Sequence, residues 1–230
     1  MRVTIVENTR ITHHGQVGVA LHEAAARIEI LRPWAGEPLP ATLASDALVV
    51  FGGEQSALAD DTHPYLPQLA RLMADAAGAG KAVLGVCLGA QLFARGLGAR
   101  NVLGTAPEFG WCEVTRSDVP DPLLGALPRS FPIFQWHSDT FTLPPGATRL
   151  AGSAQAENQS FRFGRAGYAT QFHFEASRAV VADWSREFPD LVERLSPGWH
   201  AAHPALAAGP GLQADAHGLA LARAWVGLIG

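Results

Sequence analysis

Apolar residues fall in short runs whose period changes along the chain. Val3-Thr4-Ile5-Val6 reads as a buried strand, a helical stretch follows from about Val17 to Ala26, and Ile28 to Leu31 forms a second strand. Pro33, Pro38 and Pro40 break the chain before Asp46-Ala47-Leu48-Val49-Val50-Phe51. This nearly continuous apolar run ends in Gly52-Gly53 and has the pattern of a parallel strand covered on both faces. Leu66, Leu69, Leu72, Met73 and Ala76 recur at helical spacing between Tyr65 and Ala79; Ala82 to Val86 then reads as strand and Ala90 to Leu97 as helix. Strand and helix alternating on this scale predict an α/β fold, a parallel sheet with helices on both faces.

From Trp111 to Glu175 the pattern shifts to short strand-like pieces separated by Pro and Gly, including Phe131 to Trp136 and a hairpin from Phe161 to Tyr168. That half is expected to be antiparallel or mixed. Helix resumes after Ala176, a Pro- and Gly-rich link covers Pro197 to Gly211, and a last helix spans about Ala214 to Leu228. The expected organisation is one domain over residues 1–230 with a helical C-terminal extension from about residue 178.

Composition narrows the function classes. With 230 residues, 48% of them hydrophobic and 17% charged, the chain can bury a substantial core, and its formal charge of −4 offers no basic excess for a nucleic-acid backbone. The N-terminal MRVTIVENTR lacks the apolar segment of a secretion signal, and no apolar run reaches bilayer length, so neither membrane nor nucleic acid is expected as a partner. Two cysteines, Cys87 and Cys112, cannot make a disulfide framework and suit a reducing cytoplasm.

Gly85-Val86-Cys87-Leu88-Gly89 lies where a buried strand meets a helix, the context that gives a glycine-flanked nucleophile its meaning. A sharp strand-to-helix turn crowds backbone against the central residue, so its neighbours must be small, and the helix N-terminus favours thiolate over thiol. The competing reading is a buried structural cysteine. Gln171-Phe172-His173-Phe174-Glu175 ends another apolar strand, where residues two apart face one side and Glu175 can orient the His173 imidazole. Gly52-Gly53 at a strand's carboxyl end is either a simple turn or a place where backbone N–H groups approach a ligand. With Leu88, just after the cysteine, Gly53 can supply an oxyanion hole.

These segments resemble those of the class I glutamine amidotransferases, whose glutaminase domains carry G-V-C-x-G-x-Q followed by H-x-E. Here they stand as Gly85 to Gln91 and His173-Phe174-Glu175. Trp136-His137-Ser138-Asp139 with Leu143-Pro144-Pro145-Gly146 is similar to the H-x-D and L-P-x-G pieces of the GMP-synthase-like glutaminases, and Glu108-Phe109-Gly110-Trp111 to the E-x-G-W of stand-alone members. The resemblance implies a flavodoxin-like three-layer sandwich around a mostly parallel sheet. It also implies a Cys87–His173–Glu175 triad, with Gly52, Gly53 and Leu88 around the thioester oxygen and Gln91, Trp136, His137 and Ser138 at the glutamyl portion. The chain departs from the family's frequent Gly-Gly-Pro at Gly52-Gly53-Glu54 and from His-Pro-Glu at His173-Phe174-Glu175.

The implied reaction releases ammonia from glutamine or a γ-glutamyl amide through a thioester and needs no metal or other cofactor. His13, His14, His22, His63, His200, His203 and His217 form no convincing ligand cluster. No Gly-rich nucleotide loop is present for an ATP-dependent acceptor, so either a separate synthetase takes the ammonia or the protein is a stand-alone hydrolase. A γ-glutamyl peptidase or hydrolase of another substrate is a further reading, as is a non-catalytic binding module on the same fold. An α/β-hydrolase of the dienelactone-hydrolase type is disfavoured by the adjacent His-x-Glu, because its acid precedes its histidine separately.

Overall fold

The computed structural model describes residues 1–230. Its first half contains β1 (Arg2–Val6), α1 (Gly15–Glu23), β2 (Arg27–Leu31), β3 (Ala47–Val50), α2 (Leu66–Gly78), β4 (Ala82–Val86) and α3 (Leu88–Gly96). The strands β5 (Asn101–Val102), β6 (Glu108–Arg116), β7 (Ser130–His137), β8 (Thr140–Phe141), β9 (Thr148–Gly152), β10 (Ser160–Phe163) and β11 (Gly167–Thr170) follow. The chain ends in α4 (Arg178–Glu187), α5 (Pro189–Leu195), α6 (Trp199–Ala208) and α7 (Pro210–Val226).

Nine strands form one sheet in the order β2-β1-β3-β4-β11-β10-β9-β6-β7, while β5 and β8 pair separately. The first five are mutually parallel and the rest continue antiparallel, as the change of pattern after Trp111 predicts. β3 and β4 are buried throughout, which is why they read as unbroken apolar runs. β2 lies at the edge and exposes Arg27 and Glu29, charges that oppose pairing with another chain. Val17 and Leu21 of α1 and Leu221 and Trp225 of α7 cover one face, and Leu69 and Met73 of α2 with Leu92 and Phe93 of α3 cover the other. The result is a three-layer α/β sandwich.

The expected link between Pro197 and Gly211 is instead mostly helix: α6 runs through Pro204, and α7 begins at Pro210. Burial of Trp199 against Phe109 (ring centroids 4.7 Å apart) and Trp111 (5.8 Å) outweighs the one backbone hydrogen bond a proline removes. Pro210 occupies the first turn of its helix, where a missing N–H costs nothing.

The C-terminal helix also seats the His-x-Glu segment. A Cβ at Gly218 of α7 would lie 2.1 Å from the Phe174 carbonyl oxygen, and one at Gly15 of α1 would lie 1.8 Å from that of Glu175. Gly218→Ala is therefore expected to destabilise the protein by about 1–3 kcal/mol, because helix or segment must shift. Urea unfolding measures this, and an unchanged midpoint would show that α7 yields freely.

Candidate active site

The chain turns sharply between β4 and α3. Cys87 adopts φ 53°, ψ −109°, one of two non-glycine residues with positive φ. Such a conformation costs roughly 1–3 kcal/mol and persists only where the surroundings enforce it. Here they do: a Cβ on Gly85 would lie 2.5 Å from the Gly89 carbonyl oxygen, and one on Gly89 would lie 2.0 Å from that of Val50. The Cys87 N–H donates to the Thr170 carbonyl at 2.8 Å, joining the turn to the end of β11. The two glycines are thus demanded by packing, and the sulfur is left at the N-terminus of α3, 3.8 Å from the Trp136 carbonyl oxygen.

Past β11 the chain crosses to β7. His173 donates its N–H to the Phe134 carbonyl at 2.8 Å, the Gln16 N–H donates to the Glu175 carbonyl at 2.9 Å, and Phe174 is buried between. These ties supply the rigidity that a proline at Phe174 would otherwise give. His173 Nδ1 lies 2.7 Å from Glu175 Oε1, with both side chains buried. Burial works against a charged imidazole, but the Glu175 carboxylate, and after it a thiolate at Cys87, more than offset this and push the His173 pKa up to about 10.

Gly52 closes the space between them: a Cβ there would lie 3.2 Å from His173 Cε1 and 3.9 Å from Cys87 Sγ. The turn that carries it is held by Asn8 Nδ2 donating to the Phe51 carbonyl at 2.8 Å and Thr9 Oγ1 donating to Glu54 at 3.0 Å. Glu54, in place of the family's frequent proline, thereby anchors the loop to β1's exit. The backbone N–H groups of Gly52 and Gly53 donate to no protein acceptor, and that of Leu88 is the first of α3, a position with no partner inside its own helix.

A cavity of about 460 Å³ opens above the sulfur, and every site residue expected from the sequence lines it: Cys87, His173, Glu175, Gly52, Gly53, Leu88, Gln91, Trp136, His137 and Ser138. The Gln91 amide reaches Gln171 Oε1 at 3.2 Å. The His137 ring is turned to other partners, Nδ1 3.0 Å from the Asp139 carbonyl and Nε2 3.3 Å from Glu108. It is poorly placed to serve Cys87 as a base. Cys112 lies on β6 outside the cavity, and burial, with the nearby Glu108 charge, pushes its thiol up to about 11. No helix is long and apolar enough to cross a membrane.

The sequence reading did not anticipate the far wall, which comes from Ile11, Trp184, Phe188, Leu191 and Leu195. The Trp184 ring stands edge-on to His173 at 5.3 Å and is fixed by its Nε1 donating to the Ile11 carbonyl at 3.2 Å. Nothing local distinguishes these positions from the ordinary apolar stripe of a surface helix.

The family model for class I glutamine amidotransferases matches residues 12–181. Among curated proteins, the chain is 34% identical over 156 residues to a Salmonella typhimurium protein described as glutamine amidotransferase-like, YfeJ, covering 65% of each. It is 38% identical over 95 residues to a subunit of the glutamine-hydrolysing GMP synthase of Thermoplasma acidophilum, covering 40% of this chain and 47% of that one. The matched segment thus spans about half to two thirds of these relatives. Among solved structures, a glutamine amidotransferase of Thermotoga maritima superposes with a TM-score of 0.88 at 26% identity, covering 100% of this chain and 98% of its own. A family match running from the loop before α1 into α4, across the elbow cysteine, the Gly52-Gly53 turn and the His-x-Glu segment, means that this chain belongs to the class I glutamine amidotransferase family.

Proposed function

We propose that the protein hydrolyses the side-chain amide of glutamine or of another γ-glutamyl compound through a thioester on Cys87. The observation that carries this reading is the strained cysteine at a helix N-terminus, sharing a cavity with an imidazole whose other nitrogen is held by a buried carboxylate. The Cys87 thiolate attacks the amide carbon while the N–H groups of Gly52, Gly53 and Leu88 receive the developing oxyanion. Gln91 and the chain from Trp136 to Ser138 hold the glutamyl portion, His137 through its main chain. As the C–N bond breaks, imidazolium His173 protonates the departing nitrogen, and Glu175 holds the ring in place. Water then attacks the thioester, His173 takes its proton, the C–S bond breaks, and the thiolate returns with release of a γ-carboxylate.

We favour a stand-alone hydrolase acting in the cytoplasm, with residues 1–230 as one domain in which α7 supplies part of a core layer. The GMP synthase subunit among the relatives raises the second reading, delivery of ammonia to a separate synthetase. Alkylation tests the site itself. Iodoacetamide at pH 7, with the labelled peptides identified by mass, is expected to modify Cys87 rapidly, to be blocked by glutamine, and to reach Cys112 slowly because its thiol is held up near 11. An inert Cys87 would instead support a binding module that has kept the fold.

A further inference from the structure

On the hydrolase reading above, the departing nitrogen takes its proton from His173, so whatever that nitrogen carries must lie on the His173 side of the cavity. That side is apolar. Trp184 stands against the His173 ring at 5.3 Å, and Trp136 lies 6.0 Å from Trp184 and 5.9 Å from Phe188. Leu191 and Leu195 of α5 extend the surface toward the mouth, where Leu195 is 47% exposed. Ammonia, the amine released from glutamine, would touch almost none of this surface. A cavity of about 460 Å³ falls within the roughly 300–1,000 Å³ typical of pockets that enclose drug-sized ligands.

Charge limits the class further. The lining includes no Lys or Arg but does include Glu54, Glu108 and Asp139, so an amine portion bearing its own carboxylate would be desolvated in an acidic cavity whose one cation on that side of the sulfur, imidazolium His173, gives its proton to the departing nitrogen. The wall also lies past the family-matched segment, which ends at residue 181, whereas Trp184, Phe188, Leu191 and Leu195 follow it. Trp184, Phe188, Leu191 and Leu195 come from α4, α5 and the turn between them, apart from the segments that carry Cys87, His173 and Glu175. We propose that the preferred substrate is a γ-glutamyl amide of an uncharged, hydrophobic amine, an aromatic one in particular, with the amine seated against Trp136, Trp184, Phe188, Leu191 and Leu195. The chemistry is unchanged: the C–N bond breaks, His173 gives its proton to the amine, and water completes the transfer of the glutamyl group from sulfur to oxygen.

The test compares γ-glutamylbenzylamide, γ-glutamylglycine and glutamine as substrates for the full chain, with hydroxylamine added in parallel to trap the acyl-enzyme as γ-glutamyl hydroxamate. The benzylamide is expected to show a kcat/KM at least tenfold above the other two. Phe188→Ala should lower the ratio of benzylamide to glutamine at least fivefold. Leu195→Ser, at a position exposed enough to leave folding undisturbed, should lower it in the same direction. Hydroxamate formed from glutamine or γ-glutamylglycine at least as fast as from the benzylamide would overturn the substrate class while leaving the hydrolase intact. Absence of hydroxamate from all three would overturn the hydrolase reading itself, and the substrate class with it.

Discussion

Cys87→Ser is expected to lower γ-glutamyl amide hydrolysis by about a thousandfold or more, with the fold intact. Oxygen and sulfur differ little in size, and the strain at this position lies in the backbone, enforced by Gly85, Gly89 and the Thr170 carbonyl whichever atom stands at γ. What changes is the nucleophile. A hydroxyl is the poorer nucleophile, because an imidazole takes its proton far less readily than a thiol's. The substitution has a second readout in His173. Burial presses its pKa down, while Glu175 and then the Cys87 thiolate raise it, to a net value of about 10. Because this lies above the ordinary 6.5, the protonated imidazole contributes stability that is complete below about pH 6.5 and is lost as pH rises through about 10. In Cys87→Ser one raising charge is gone, so the imidazole should titrate at a lower pH, and the alkaline loss of stability, which still begins near pH 6.5, should be smaller and end at a lower pH. NMR titration of His173 measures this directly. Turnover within a few-fold of wild type, or a His173 titration that does not move, would dismiss the thiolate–imidazolium pair.

How much of this could be read from the chain follows from where each constraint resides. β3 and β4 are legible because strands buried on both faces must be apolar at every position, and the elbow because two backbone collisions within a few residues force glycine at Gly85 and Gly89. The pairing of His173 with Glu175 is likewise local in its two-residue spacing, but not as the strand end that the apolar pattern suggests: β11 stops at Thr170, and residues 171–175 are bends around a single bridge from His173 to Phe134. By contrast, α6 reads as a link because its determinant, the burial of Trp199 among Phe109 and Trp111, comes from residues some ninety positions away. The apolar wall fails to announce itself for the same reason. Trp184 and Phe188 share a helical stripe that any packed helix would show, and only the tertiary fold turns them toward Cys87. His137 shows the converse case: it sits in a recognisable motif, yet its ring is committed to Glu108 and the Asp139 carbonyl, which nothing in the motif reveals.

His173→Ala is expected to reduce turnover by about 10²–10⁴-fold, because it removes both the group that generates the thiolate and the acid that protonates the leaving nitrogen. The variant also leaves a carboxylate stranded. Glu175 is 2% exposed, its Oε1 is satisfied by His173, and its Oε2 has no hydrogen-bond partner in the protein. Removing one member of a buried pair costs about 3–5 kcal/mol, so a poorly folded His173→Ala could be mistaken for a catalytically dead one. Glu175→Gln separates the two effects. It deletes the charge while keeping an amide within reach of the ring, so thioester formation should survive at a reduced rate, and the His173 pKa should fall because its strongest raising influence is gone. Combined with His173→Ala, the same change removes the stranded charge and should restore much of the unfolding midpoint without restoring turnover. Urea unfolding and single-turnover trapping of the acyl-enzyme, run on all three variants, distinguish the outcomes. Recovery of stability with activity still absent assigns the loss to proton transfer at His173. Wild-type thioester formation in His173→Ala would show that another group is the base and that the Cys87–His173–Glu175 assignment is wrong.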